Sequence, residues 1–182
     1  MTDAPRRANL GYWRARETNK LIWVWRRMVD LKLLHVSLTA RDADALSAFY
    51  RGALGFVDRR PPSRLSGEIV SRGNGLPNSN IYAIWLNLPD DHGPFLEIME
   101  YDEAVDRHVP AVNELGYGHL AFEVQNLDET IEKVLRFGGA LQGQVTNFGT
   151  KEKPHLIVYM RDPEGNIFEL EQPQHLTGPD IG

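Results

Sequence analysis

The chain has 182 residues, 42% of them hydrophobic and 25% charged, with a net charge of −5, which suits one ordinary domain or two small fused modules. Its acidic balance excludes a general nucleic-acid-binding surface, and no apolar run approaches the ~20 residues that span a bilayer. With no cysteine there is no disulfide framework, thiolate nucleophile or Cys-ligated zinc, so any metal must be held by imidazole and oxygen.

The first 27 residues differ from the rest: Arg6, Arg7, Arg14, Arg16, Lys20, Arg26 and Arg27 face only Asp3 and Glu17. The apolar stretch 21–25 is shorter than the ~7–15 residues of a signal-peptide core, and Arg6-Arg7 lacks the hydrophobic segment of a twin-arginine signal. A cytoplasmic protein with an N-terminal extension is therefore expected. The extension is either a helical arm whose Trp13, Trp23 and Trp25 dock on the domain or on a second subunit, or a dispensable segment before a domain starting near Met28.

Residues 31–39 alternate as a strand. Asp42 then opens an amphipathic helix with Ala45, Leu46, Phe49, Ala53 and Leu54 on its apolar side, ended by Gly55. A short strand over 55–59 is followed by a long loop, 61–80, rich in Pro, Gly, Ser, Asn and Arg and enclosing at most a short strand near Ile69. Residues 81–88 and 95–101 read as strands joined by the Pro89–Pro94 turn. After a connection over 102–117, a strand over 119–124 leads to a helix with Asn126 as N-cap, Glu129 completing a capping-box pattern, and Leu127, Ile131, Val134 and Leu135 as its buried stripe. Gly138-Gly139 stops it. Strands over 140–145, 155–161 and 167–172 follow, the last two joined by a turn at Asp162-Pro163-Glu164-Gly165-Asn166.

The second half thus repeats the first. In each, a histidine lies on the strand before the helix and a glutamate on the last strand: His35 and Glu97, then His119 and Glu169, with spacings of 62 and 50 residues whose difference is absorbed by the 61–80 loop. Each is flanked by large apolar residues (Leu34 and Val36, Leu96 and Ile98, Leu120 and Phe122, Phe168 and Leu170). Because successive strand side chains point to opposite faces, each stretch buries its aliphatic residues on one side and presents the His or Glu on the other. Any one of them alone is an ordinary polar group on an open sheet face. Two His and two Glu together make a donor set for a divalent metal, and their formal charge of −2 neutralises it. The fold expected is α+β: two βαβββ modules, about 31–101 and 118–173, within one domain (28–175) before a short tail (176–182). They would form an open, cupped mixed barrel that gathers all four side chains in one cavity.

Leu34-His35-Val36-Ser37-Leu38, Phe49-Tyr50 with Leu54-Gly55-Phe56, Gly118-His119-Leu120-Ala121-Phe122, and the Asp162–Asn166 turn running into Phe168-Glu169-Leu170 resemble the vicinal oxygen chelate superfamily. That group includes glyoxalase I, methylmalonyl-CoA epimerase, extradiol dioxygenases and fosfomycin and bleomycin resistance proteins. The resemblance covers about residues 31–173 and is most specific at the final turn and its Glu. It implies the paired fold and His35, Glu97, His119 and Glu169 as ligands to one divalent ion (Zn, Ni, Co, Mn or Fe) per subunit, water completing the shell. A homodimer is expected on the resemblance alone, with each site inside one chain because both halves are present. The implied reaction is that of a metal-dependent isomerase, epimerase or lyase stabilising an enediolate from a small oxygenated substrate, with Glu97 or Glu169 as base. Two alternatives stay open: an extradiol-type dioxygenase, and a resistance protein that sequesters an antibiotic. Glu97 at the second ligand position matches glyoxalase I rather than the three-ligand dioxygenases, whereas Tyr159 ahead of Glu169 resembles them.

Among other candidates, Arg59, Arg60, Arg64 and Arg72 could clamp a phosphate or carboxylate or simply form a solvated basic loop. His155 could reach a cavity rim. His92, His108 and His175 read as surface residues, Glu123 and Glu171 as exposed strand-end carboxylates, and Met99 and Tyr101 as pocket-lining or packing residues on the face of Glu97.

Overall fold

A computed structural model describes residues 31–89 and 93–173, so the Trp-bearing arm, the tail, His92 and His175 lie outside the described residues. The chain divides into Met1–Leu33 and Leu34–Gly182, and the second unit holds every described strand and helix. In chain order these are β1 (His35–Ala40), α1 (Ala43–Leu54), β2 (Val57–Ser66), α2 (Glu68–Asn74), β3 (Asn80–Asn87), β4 (Phe95–Tyr101), β5 (Leu120–Glu123), α3 (Leu127–Arg136), β6 (Ala140–Leu141), β7 (Thr146–Asn147), β8 (Leu156–Arg161) and β9 (Ile167–Gln172). They form the expected pair of βαβββ modules, each an open mixed sheet: β1-β4-β3-β2, and β5-β9-β8-β6 with β7 on β8. No helix among the described residues is long and apolar enough to cross a membrane.

The two main helices begin as their sequences dictate. Asp42 accepts a hydrogen bond from the Ala45 amide (2.8 Å) and Asn126 one from the Glu129 amide (3.1 Å), satisfying amides that the helix itself leaves without partners. Only half of the expected capping box forms, since Glu129 reaches forward to Lys133 (2.7 Å) instead. Gly55, at φ 74°, caps α1 in the left-handed region that glycine adopts without strain. The adjacent glycines after α3 divide the work. Gly138 takes the positive φ of 93°, while Gly139 is needed for close approach, because a Cβ there would sit 2.7 Å from the Arg161 carbonyl oxygen.

Three sequence readings are corrected. The 61–80 segment is not a loop: β2 runs on through Pro61-Pro62 to Ser66. It can do so because β2 is an edge strand with register shifts at Asp58/Arg60 and Arg60/Ser63, where missing N–H donors break no ladder. Beyond it, α2 replaces the strand near Ile69, set between Gly67 and Gly75, both at positive φ. In the second half, residues 140–145 contribute only the two-residue β6.

Both sheets bury one face in a shared core, with α1 and α3 against each other. Phe49 meets Phe168 (ring centroids 6.1 Å) and Phe56 meets Phe122 (5.8 Å), so aromatic residues of each module close the other's core. The Asp162–Asn166 turn fastens the modules. Buried Asp162 accepts from the Tyr50 hydroxyl (3.1 Å), from the amides of Glu164 and Asn166 and from the Asn166 side chain (2.7 Å). The Glu164 carboxylate takes the amides of Arg41 and Asp42 at the start of α1. With their inner faces on one core, the two sheets turn their other faces away from it.

Candidate functional site

Parallel pairing of the first and last strand of each module brings each histidine beside its glutamate. Ser37 lies opposite Glu97 and Ala121 opposite Glu169, and in both cases the histidine stands two residues earlier on the strand line. The N-caps Asp42 and Asn126 each follow their histidine by seven residues. His35 Nε2 stands 3.6 Å from Glu97 Oε2, and His119 Nε2 stands 3.7 Å from Glu169 Oε2. The duplication legible in the sequence therefore extends to side-chain geometry.

The carboxylates are held in matching ways. Each faces, across an antiparallel pair, an aromatic residue with a polar hydrogen: Trp85 opposite Glu97 and Tyr159 opposite Glu169. The Trp85 indole donates to Glu97 Oε1 at 2.8 Å. The Tyr159 hydroxyl donates to Glu169, which, with burial, pushes the phenol above its ordinary value and keeps it a donor. Phe95 lies against His35 and Tyr159 edge-on against His119, both with ring centroids 4.9 Å apart. The glutamate side chains are 15% and 9% exposed and the histidines 39% and 34%, so each pair presents imidazole over a sunken carboxylate.

Ligands 2.0–2.2 Å from one divalent ion stand roughly 3–3.5 Å apart, so each pair is close to the spacing of two ligands on one metal. Among the described residues no group of three or more His, Asp or Glu is gathered that could hold a metal. What the described residues show is two separate His–Glu pairs, one on each sheet.

The remaining candidates fall away from these pairs or beside them. His155 bonds Glu171 at 2.9 Å on the face that carries Glu169, and His108 pairs with Glu114 (2.5 Å) in the connection between modules. Arg64 pairs with Asp102, and Arg72 lies in the last turn of α2, whereas Arg59 and Arg60 stack on Phe95 and Trp85. Met99 and Tyr101 share the Glu97 face, packing with Ile81, Ala83 and Trp85. Trp85 was not singled out by sequence reasoning, although the signal exists: the antiparallel pairing of these two neighbouring strands sets 85 opposite 97.

The model of the glyoxalase-like domain family matches residues 35–171. Human mitochondrial methylmalonyl-CoA epimerase is 22% identical over 141 residues, 78% of this chain and 73% of that protein. A glyoxalase family protein from Bacillus cereus superposes with a TM-score of 0.73 at 22% identity, covering 82% of this chain and 98% of that one. A mutant of the fosfomycin resistance protein FosX from Listeria monocytogenes, solved with Mn(II) and 1S,2S-dihydroxypropylphosphonic acid, gives a TM-score of 0.50 at 19% identity, covering 79% and 90%. At these identities the likenesses to solved structures establish the fold alone.

Proposed function

Because this chain belongs to the glyoxalase-like domain family, within the vicinal oxygen chelate superfamily, we propose that it is a divalent-metal isomerase, epimerase or lyase whose site is completed between two copies. The observation that carries this reading is the repeated His–Glu pair, at 3.6 and 3.7 Å, on two faces that point away from a common core. His35 and Glu97 of one subunit would join the second pair, His119 and Glu169, of its partner. The donor set, imidazole and carboxylate without sulfur, suits Mn, Fe, Co, Ni or Zn. A relative named as an epimerase and a fold neighbour crystallised with Mn(II) support the same class.

The cation supplies Lewis-acid stabilisation of negative charge growing on the substrate oxygens. The chain's own residues do the rest. The aromatic donors Trp85 and Tyr159 fix the carboxylates, and the half-exposed histidines face the substrate. Glu97 or Glu169 accepts the proton leaving carbon and returns it. A second carboxylate in the set offers a base that a His, His, Glu arrangement lacks, which favours proton transfer over oxygen insertion.

The test mixes two inactive proteins. His35→Ala/Glu97→Ala and His119→Ala/Glu169→Ala should each lose metal, measured by elemental analysis. Their isolated heterodimer should regain one intact site, with metal and with solvent-deuterium exchange at the carbon acid of a substrate. A heterodimer without metal, alongside a metal-replete wild type, would place each site within one chain. Oxygen uptake matched to catechol cleavage would install the dioxygenase reading, and tight binding without product the sequestering one.

A further inference from the structure

We infer that Arg59 and Arg60 form an anion subsite beside the His35–Glu97 pair, so the substrate carries a small oxyanion group, phosphoryl or carboxyl, away from its reacting carbon. The inference rests on the metal-site reading above for the location of that carbon. Consecutive strand residues ordinarily point to opposite faces, but a bulge intervenes here: Asp58 pairs with Leu86 and Arg60 with Trp85, leaving Arg59 as the extra residue. Both guanidinium groups therefore reach the outward face. Arg60 Cζ lies 3.4 Å over the Trp85 ring and Arg59 Cζ lies 4.5 Å over Phe95.

These two aromatics are the ones that touch the half-site. Trp85 donates to Glu97, and Phe95 packs on His35, so each arginine stands one ring away from one member of the pair. Stacking occupies the faces of a guanidinium and leaves its in-plane N–H edge for oxyanions, which Arg binds in a fork. Arg59 spends one donor on Asn87 Oδ1 (3.1 Å). Among the described residues neither arginine forms an ion pair, whereas Arg41, Arg51 and Arg64 are paired with Asp106, Asp58 and Asp102. Two unneutralised cations at the same rim, in a chain of net charge −5, make a site for an anion. The two ligand carboxylates balance a dication, so a charged substituent on the substrate has to find its counter-charge elsewhere.

The experiment compares dihydroxyacetone with dihydroxyacetone phosphate by calorimetric titration into Mn(II)-loaded full-length protein. Wild type should bind the phosphorylated compound at least about tenfold more tightly, the scale of one or two charge-assisted hydrogen bonds. Arg59→Gln combined with Arg60→Met, which retains an apolar stem over Trp85, should bring the ratio near one at unchanged metal content, and Lys at both positions should restore part of it. Equal binding by wild type, no binding of either compound, or a preference that survives in Arg59→Gln/Arg60→Met would overturn the subsite. Failure of the metal reading would appear separately, as full metal content in His35→Ala.

Discussion

In the proposed role Glu97 would both ligate and move a proton, which needs a fixed orientation, and Trp85 supplies one. Its indole N–H can donate but never accept, so it ties up Glu97 Oε1 without competing for a cation or a proton, and Oε2 is left toward His35. Donors behind metal ligands typically tune affinity by 10–100-fold. Trp85→Phe keeps an aromatic ring under Arg60 but removes this donor. It should weaken metal binding by about that factor, read by titration with a competing chelator, and, because Trp85 is buried, it should also lower the thermal unfolding midpoint. Unaltered affinity would show that Glu97 is oriented by packing alone.

At the scale of elements, the turn most specific to the family resemblance is a fastener rather than a site. Asp162 takes the Tyr50 hydroxyl across the module boundary, and burial, followed by this acidic neighbour, holds the phenol well above its usual value. The folded protein therefore keeps a proton that the unfolded chain releases near pH 10, so stability falls as pH rises above about 10. Tyr50→Phe should lose about 1.5–3 kcal/mol at neutral pH, the scale of a hydrogen bond to a charged acceptor. Its alkaline stability loss should also be shallower than wild type's. Denaturant unfolding at neutral and alkaline pH checks both, and parallel pH profiles would remove Tyr50 as the linked group. The two main helices, the final strands and the place of a His and a Glu in each half were legible because caps, alternation and the internal repeat can be read directly from the residues. The route of β2 through Pro61-Pro62 was not: its bulges depend on pairing with β3, which no local pattern encodes. For the same reason residues 61–80 read as a loop, and the shared outward face of Arg59 and Arg60 stayed hidden.

For the whole molecule, the decisive question is which faces meet. Alternation shows that each His or Glu opposes a buried aliphatic face, but it cannot say whether two such faces close on each other or back onto one core. Phe49, Phe56, Phe122 and Phe168 decide it by joining the inner faces. Among the described residues the histidines then lie at sheet edges: His35 on β1, which pairs with β4 alone, and His119 just ahead of β5, which pairs with β9 alone. Such edges invite a second chain. If two copies complete each site, metal binding and dimerisation are linked and strengthen each other by the same factor. Chelation should raise the dimer dissociation constant at least about tenfold, since a half-site offers a cation two ligands rather than the four of a structural zinc site. Dilution of the loaded protein should release metal as monomer appears. Sedimentation velocity across a dilution series, with and without chelator and with metal counted in each species, measures both. A monomer that retained a full complement of metal would reject the shared site and return all four ligands to a single chain.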